Sequence, residues 1–163
     1  MHQNVGFTRW RHGGPYDSGF LSLLEIARSG DAVWDPECDV VHRAFSGDAG
    51  SLDALAMGVF LAIADSKAIG FGLTKMYVGE TWILEVYVAM EFRRKGIATR
   101  LLEFVVQQHS GPGCGWALLE FVSSRHGSRV LAQRLGFLRA GGVDYPAGGG
   151  APVEYWIRSL ESA

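Results

Sequence analysis

Arg93, Arg94 and Lys95 stand in a row directly before Gly96 and what reads as the first turn of a helix, in the stretch FRRKGIATRLLEF at 92–104. A helix N-terminus already carries partial positive charge, so each exposed cation there costs about 0.3–1 kcal/mol. The same end presents backbone N–H groups that have no partner inside the helix. Cations, amides and a glycine converging on one point suit a phosphate-like anion, which turns the repulsion into charge-assisted hydrogen bonds. Gly96 and Ala98 fit this reading, because small residues let a bulky polyanion approach the backbone. A solvated basic loop whose side chains point away from the helix axis accounts for the charges equally well.

The elements around the loop position it. Ala98, Leu101, Leu102 and Val105 form an i, i+3, i+4, i+7 stripe on a helix that runs to about His109, where GPGCG stops it. Before the loop, MGVFLAIA, AIGFGLTKMYV and WILEVYV read as three strands over 57–88, with tight turns at DSK and GET that require antiparallel neighbours. After the helix come a buried-looking strand, WALLEFV, a second helix from about Ser128 to Leu135, and the last strands GFLRAGGV and VEYWIRS. The strand, helix, strand order places WILEVYV and WALLEFV parallel, joined by a right-handed crossover. Near the start, VGFTRW reads as a strand and DSGFLSLLEIARSG as a helix capped by Asp17 or Ser18 and ended by Gly30. A short helix around Val40 to Phe45 follows. The expectation is one α/β domain over 1–163.

Arg93, Gly96 and Ala98 give Arg-x-x-Gly-x-Ala between EVYVAME and an amphipathic helix. This resembles the acetyl-CoA signature of the GNAT superfamily of N-acetyltransferases. AIADSKAIGFG is similar to that family's second and third strands, LEVYVAMEFRRKGIAT to its fourth strand and pyrophosphate loop, and RVLAQRLGF to the helix and Gly-Phe ending of its second conserved block. The likeness covers roughly residues 57 to 138. It implies a mixed, mostly antiparallel sheet of six to seven strands flanked by about four helices, with a splayed central parallel strand pair. It also implies that Arg93, Arg94, Lys95, Gly96, Ile97, Ala98 and Thr99 bind the pyrophosphate of acetyl-CoA. Val86, Tyr87 and Val88 would line its pantetheine arm, and Arg125 and Ser128 would add contacts from the last helix.

The chemistry implied is acetyl transfer to a primary amine by direct attack in a ternary complex, with coenzyme A as product and no metal. An ammonium with a pKa near ~10.4 cannot attack a thioester, so a base must accept a proton. Glu85, inside an apolar strand three residues before Val88, is the first candidate, and its burial would raise its pKa. Its other reading is a carboxylate paired with an arginine or facing solvent. Glu120 in ALLEFV is the second candidate, and a backbone N–H near Val88 can serve the oxyanion. Two positions depart from the family pattern: Arg125 stands where an asparagine is usual, and Ala132 where a tyrosine commonly protonates the leaving thiolate. Ser128, Tyr87, Tyr145 and Tyr155 are the remaining hydroxyls. The departures keep a second possibility open, a degenerate module that binds acyl-CoA as a sensor or interaction element.

A net charge of −2 disfavours a general nucleic-acid surface. The longest apolar run, Leu52 to Ala64, is too short to span a bilayer, so no membrane partner is expected. Two cysteines in 163 residues suit a reducing, cytoplasmic setting. Cys38 and His42 stand i, i+4 apart without a second ligand pair, which disfavours zinc. The resemblance implies that the N-terminal helices and the last strands select the acceptor, which makes Trp10, Trp34, Asp17, Asp31, Asp35, Glu37, Asp39, Asp144, Tyr145, Glu154 and Tyr155 the acceptor-side candidates. They leave small amines, antibiotic amines and protein amines open. A homodimer is compatible with the sequence.

Overall fold

The chain forms a seven-stranded sheet with helices on both faces. In the computed structural model, residues 4–30, 38–45, 52, 55–110, 113–122, 126–143 and 152–160 are described. Along the chain lie β1 (Gly6–Arg9), α1 (Asp17–Gly30), α2 (Cys38–Phe45), β2 (Met57–Ala64), β3 (Lys67–Tyr77), β4 (Gly79–Val88), α3 (Ile97–His109), β5 (Cys114–Val122), α4 (His126–Arg134), β6 (Leu138–Val143) and β7 (Val153–Ser159). A short 3-10 turn at Met90–Phe92 joins β4 to α3. Strand order is β1-β2-β3-β4-β5-β7-β6. Among the described residues only β4 and β5 are parallel, as the long crossover through α3 requires. Among the described residues no helix is long and apolar enough to cross a membrane.

Turn chemistry sets the meander. Ala64 pairs with Lys67 across Asp65 and Ser66, which both take positive φ, 49° and 61°, as a primed two-residue hairpin demands. Tyr77 pairs with Glu80, so the next turn is Val78-Gly79 with Gly79 at φ 78°, a step earlier than the expected GET. Asp17 does not simply cap α1. Its carboxylate accepts from the Trp10 indole and the Gly13 amide, both at 2.8 Å, and ties the end of β1 to the helix.

The sheet separates two cores. On one face α3 buries Leu101, Leu102 and Val105 and α4 buries Ala132 against Phe60, Ile83, Leu119 and Trp156. On the other, Phe20 and Leu24 of α1 and Val41 of α2 pack on Val59, Leu61, Phe71 and Leu73. Each large apolar side chain fully buried this way contributes about 1.5–3 kcal/mol. Arg100 ties the first strand to α3, donating to the Val5 carbonyl at 3.1 Å with its guanidinium 5.0 Å from the Phe7 ring.

Candidate active site

β4 and β5 part in mid-sheet. Their pairing runs from Gly79↔Cys114 to Ile83↔Leu119 and ends there. The next residue is a bulge: Leu73 pairs with Glu85 and Thr74 with Ile83, so Leu84 is extra. A bulge bends its strand and sharpens the local twist, and here it turns the end of β4 away from β5. Residues 85–88 remain on β3, while Glu120 to Val122 remain on β7. A gap is left between the two parallel strands, as expected for a splayed pair.

The backbone groups facing this gap follow from alternation. Ala89 N–H donates to the Ile69 carbonyl at 2.9 Å, so residues 87 and 89 address β3, and the N–H and C=O of Val86 and Val88 face the gap. Two of these four groups are engaged by nearby side chains. The Val86 N–H donates to Glu85 Oε1 at 3.1 Å, and the Val88 carbonyl accepts from Arg93 Nε at 2.8 Å.

The loop after β4 is wound tightly. Arg94 sits at φ 65° and Gly96, the N-cap of α3, at φ 74°, with no side-chain cap bond there among the described residues. The Gly96 carbonyl accepts the first helical bond, from Arg100 N–H at 3.1 Å, which leaves the amides of Ile97, Ala98 and Thr99 as the helix's open end. Arg93 folds back over the Tyr87 ring at 5.3 Å, and Lys95 Nζ donates to the Glu91 carbonyl at 3.1 Å. The first and last of the three cations therefore also brace the loop.

A cleft of about 770 Å³ opens at this helix end. Val88, Arg93, Arg94, Gly96, Ile97, Ala98 and Thr99 line one side of it, and Gly127, Val130, Leu131 and Arg134 of α4 the other. Arg134 was not singled out in the sequence. The signal was present, since residues 127, 130, 131 and 134 fall at i, i+3, i+4, i+7 on one helical stripe. Val86 packs on the same side of the sheet as the cleft, whereas the Tyr87 ring turns to the α1 side and stacks on Phe71 at 5.5 Å. Lys95 and Ser128 are outside the lining, and Arg125 lies outside the described residues.

Glu85 is half-buried at the gap, and Glu120 is exposed on β5. The bulge places two residues, Leu84 and Glu85, between Ile83 and Val86, which both pack on the α3 core. Leu84 packs on the α1 core, so the Glu85 carboxylate is offered at the bend. Ala132 is 0% exposed, on the buried face of α4. Of the tyrosines, Tyr87 is stacked as described and Tyr155 meets Trp82 edge-on at 6.3 Å. Trp34, Asp31, Asp35, Glu37, Asp144 and Tyr145 lie outside the described residues. Among the described residues, no three His, Cys, Asp or Glu side chains converge as a metal site would need.

Glu154 is a buried anchor for α4. It is 5% exposed and accepts from Arg129 at 2.8 and 3.0 Å and from the Trp156 indole at 3.2 Å, with Arg139 Nε at 3.4 Å. Burial pushes its carboxyl up, but the bonds from Arg129 and Trp156 and the charges of Arg129 and Arg139 outweigh it and hold the group below the ordinary value. The ionised form thus ties α4 to β7, on the same face of the sheet as α3.

The sequence profile of the acetyltransferase (GNAT) family matches residues 21–137, and the chain belongs to that family. Its fold is shared by the ribosomal-protein-S18-alanine N-acetyltransferase of Escherichia coli, with TM-score 0.74, 18% identity, and 98% of this chain and 96% of that one covered. Arabidopsis thaliana NAA60 in complex with acetyl-CoA superposes with TM-score 0.73 at 18% identity over 96% of this chain and 98% of that chain. A GNAT family acetyltransferase from Elizabethkingia anophelis with acetyl-CoA bound gives TM-score 0.68 at 16% identity, again over 96% and 98%. None of the curated proteins matches this sequence.

Proposed function

We propose that this protein transfers the acetyl group of acetyl-CoA to a primary amine by direct attack, with both substrates bound at once. The observation that carries the reading is the gap between β4 and β5, opening beside a glycine-led helix end that no side chain of the described residues caps. Bound acetyl-CoA supplies a thioester carbonyl for the amine to attack and a thiolate to leave.

The chain's own residues divide the work. Gly96, Ile97, Ala98 and Thr99 turn amides toward the pyrophosphate, with Arg93, Arg94 and Lys95 supplying charge. The outward carbonyl of Val86 pairs with the pantetheine arm, as an added strand would, while the Val86 N–H and the Val88 carbonyl stay with Glu85 and Arg93. The Val88 N–H donates to the carbonyl oxygen as it gains charge. Glu85 takes the proton of the ammonium, directly or through a water, and Glu120 is the second candidate for that role. Ala132 has no proton to give, and a thiolate with a pKa near ~8.5 leaves tolerably without a dedicated acid. Arg134, with Arg125 and Ser128 nearer the start of α4, serves the remainder of the cofactor. Gly127 begins the cleft wall of α4, and Arg134 stands seven residues on, about 10 Å along the axis. That separation suits the 3′-phosphate, the anion farthest from the sulfur. The buried free thiol of Cys114 fits a reducing, cytoplasmic setting.

A thermal-shift titration tests the donor half. Acetyl-CoA at one hundred times its Kd adds about 2.7 kcal/mol, and Arg93→Glu abolishes the rise. No rise at millimolar acetyl-CoA overturns the reading. Amine-dependent thiol release that Glu85→Gln eliminates tests the chemistry, and release unaffected by that substitution removes Glu85 as base.

A further inference from the structure

The second core, under α1 and α2, draws on β2, β3 and β4 and, among the described residues, on none from β5, β6 or β7. Among the described residues, no helix packs on the other half of the sheet on that face. One row crosses four strands there: Trp82 pairs with Leu118, Leu118 with Ile157, and Ile157 with Leu138. Leu138 is 72% exposed, while Leu118 and Ile157 are half-buried. The next row toward the gap holds Glu120 and its partner Tyr155, level with the bulge at Leu84 and Glu85. The aromatic rings are held in place: Trp82 donates to Glu80 Oε2 at 3.2 Å and meets Tyr77 at 6.1 Å and Tyr155 at 6.3 Å, both edge-on. Trp82 and Tyr155 reach toward each other over β5, so the rings form a floor that runs up to the gap.

We propose that this floor seats the body of the acceptor, and that the acceptor is a primary amine carried on an aromatic or otherwise apolar group about two carbons away. The inference rests on the acetyltransferase reading and deepens it by naming the substrate class. The cofactor cleft lies on the α3 and α4 face, so the opposite face is where a second substrate can meet the thioester through the gap. Continuity and charge select the occupant. The floor ends at Glu85 and Glu120, two carboxylates that favour an ammonium, and its rings offer faces and edges to an apolar body. Spacing sets the length. Successive rows are two residues apart along the strand, about 6.6–7 Å, so an amine held at Glu85 places a ring joined by two carbons over Trp82. A sugar-like or polyhydroxylated amine on this floor would leave hydroxyls against apolar surface without partners.

Acetyl transfer at saturating acetyl-CoA, expressed per free amine, compares 2-phenylethylamine with n-propylamine, ethanolamine and kanamycin. The expected kcat/KM for 2-phenylethylamine is roughly tenfold or more above that for n-propylamine, the step an added apolar group in a pocket commands. Trp82→Leu brings the two together while the acetyl-CoA thermal shift persists. Should that variant fold poorly, 2-phenylethanol serves with the unaltered protein. It carries the body without the amine and competes with 2-phenylethylamine. Equal kcat/KM for aryl and propyl amines, preference for kanamycin, or no competition by 2-phenylethanol overturns the proposal while leaving the acetyltransferase reading intact. Absence of thiol release with every amine overturns that reading instead. A dimer in sedimentation that Trp116→Asp converts to monomer assigns the face to a second copy, which also overturns the proposal.

Discussion

Arg134→Gln isolates one charge in the cofactor cleft. The residue sits at the exposed end of α4, the last on the stripe that begins at Gly127, and shares the cleft lining with Arg94. Two unit charges about 4 Å apart in bulk water attract by about 1 kcal/mol, and a phosphate monoester carries about −1.5 to −2. Salt at physiological strength removes part of this, leaving about 1 kcal/mol for an exposed contact, or roughly fivefold in Kd. Calorimetric titration of coenzyme A and of dephospho-coenzyme A, which lacks only the 3′-phosphate, reads it directly. The unaltered protein should bind coenzyme A more tightly. Arg134→Gln should weaken coenzyme A roughly fivefold and leave dephospho-coenzyme A unchanged. The difference should shrink in high salt. Equal losses for both ligands would place Arg134 on the pyrophosphate or in the scaffold. No loss for either would remove it from the site.

Two further expectations concern the frame. A Cβ on Gly70 would lie 2.7 Å from the Tyr87 carbonyl oxygen and 3.3 Å from Val88 Cγ2, so Gly70→Ala must push β4 where the gap begins. It should cost about 1–3 kcal/mol and reduce the acetyl-CoA thermal shift. Gly6→Ala, whose Cβ meets nothing within 4 Å, is the neutral control, and equal melting of the two would refute the steric reasoning. His109, beside Thr74 at 3.3 Å, has its imidazole pushed below 6.5 first by burial and then by Arg9. The fold therefore holds it neutral. Its contribution is complete above pH 6.5, and it is lost as the pH falls from there toward the lowered folded value, because the unfolded chain takes the proton first. His109→Gln should flatten the fall in stability just below pH 6.5 in urea melts, and an unchanged slope would contradict the assignment.

The loop and α3 were legible because their signals are local. Three cations, Gly96 and a four-residue apolar stripe specify a helix end whatever lies around it. The parallel pair followed from element order and chain connectivity. The bulge at Leu84 left no trace, since WILEVYV has neither Gly nor Pro and reads as an ordinary apolar strand. Leu84 becomes the extra residue only through its pairing with β3. Arg134 went unnoticed for a related reason: its stripe matters only once α4 is docked, and the docking depends on Glu154, far along the chain, reaching Arg129. The expected turn at GET slipped because Gly79 alone supplies the positive φ, and Glu80 and Thr81 are free to pair. The acidic stretch 31–39 and the segment around Tyr145 were read as acceptor-side on resemblance, which local pattern does not supply.

The extra residue in β4 makes the length of that strand matter more than its composition. Deleting Leu84 would leave every later side chain on its present face and the ladder with β3 unbroken. It would also seat the Glu85 carboxylate in an apolar slot against α1 and let β4 zip onward along β5, sealing the passage between the two faces. Exchanging Leu84 for another apolar residue would do neither. Drift in this strand is therefore tolerant of spelling and intolerant of insertion or deletion, a constraint that a comparison of amino-acid types alone would miss.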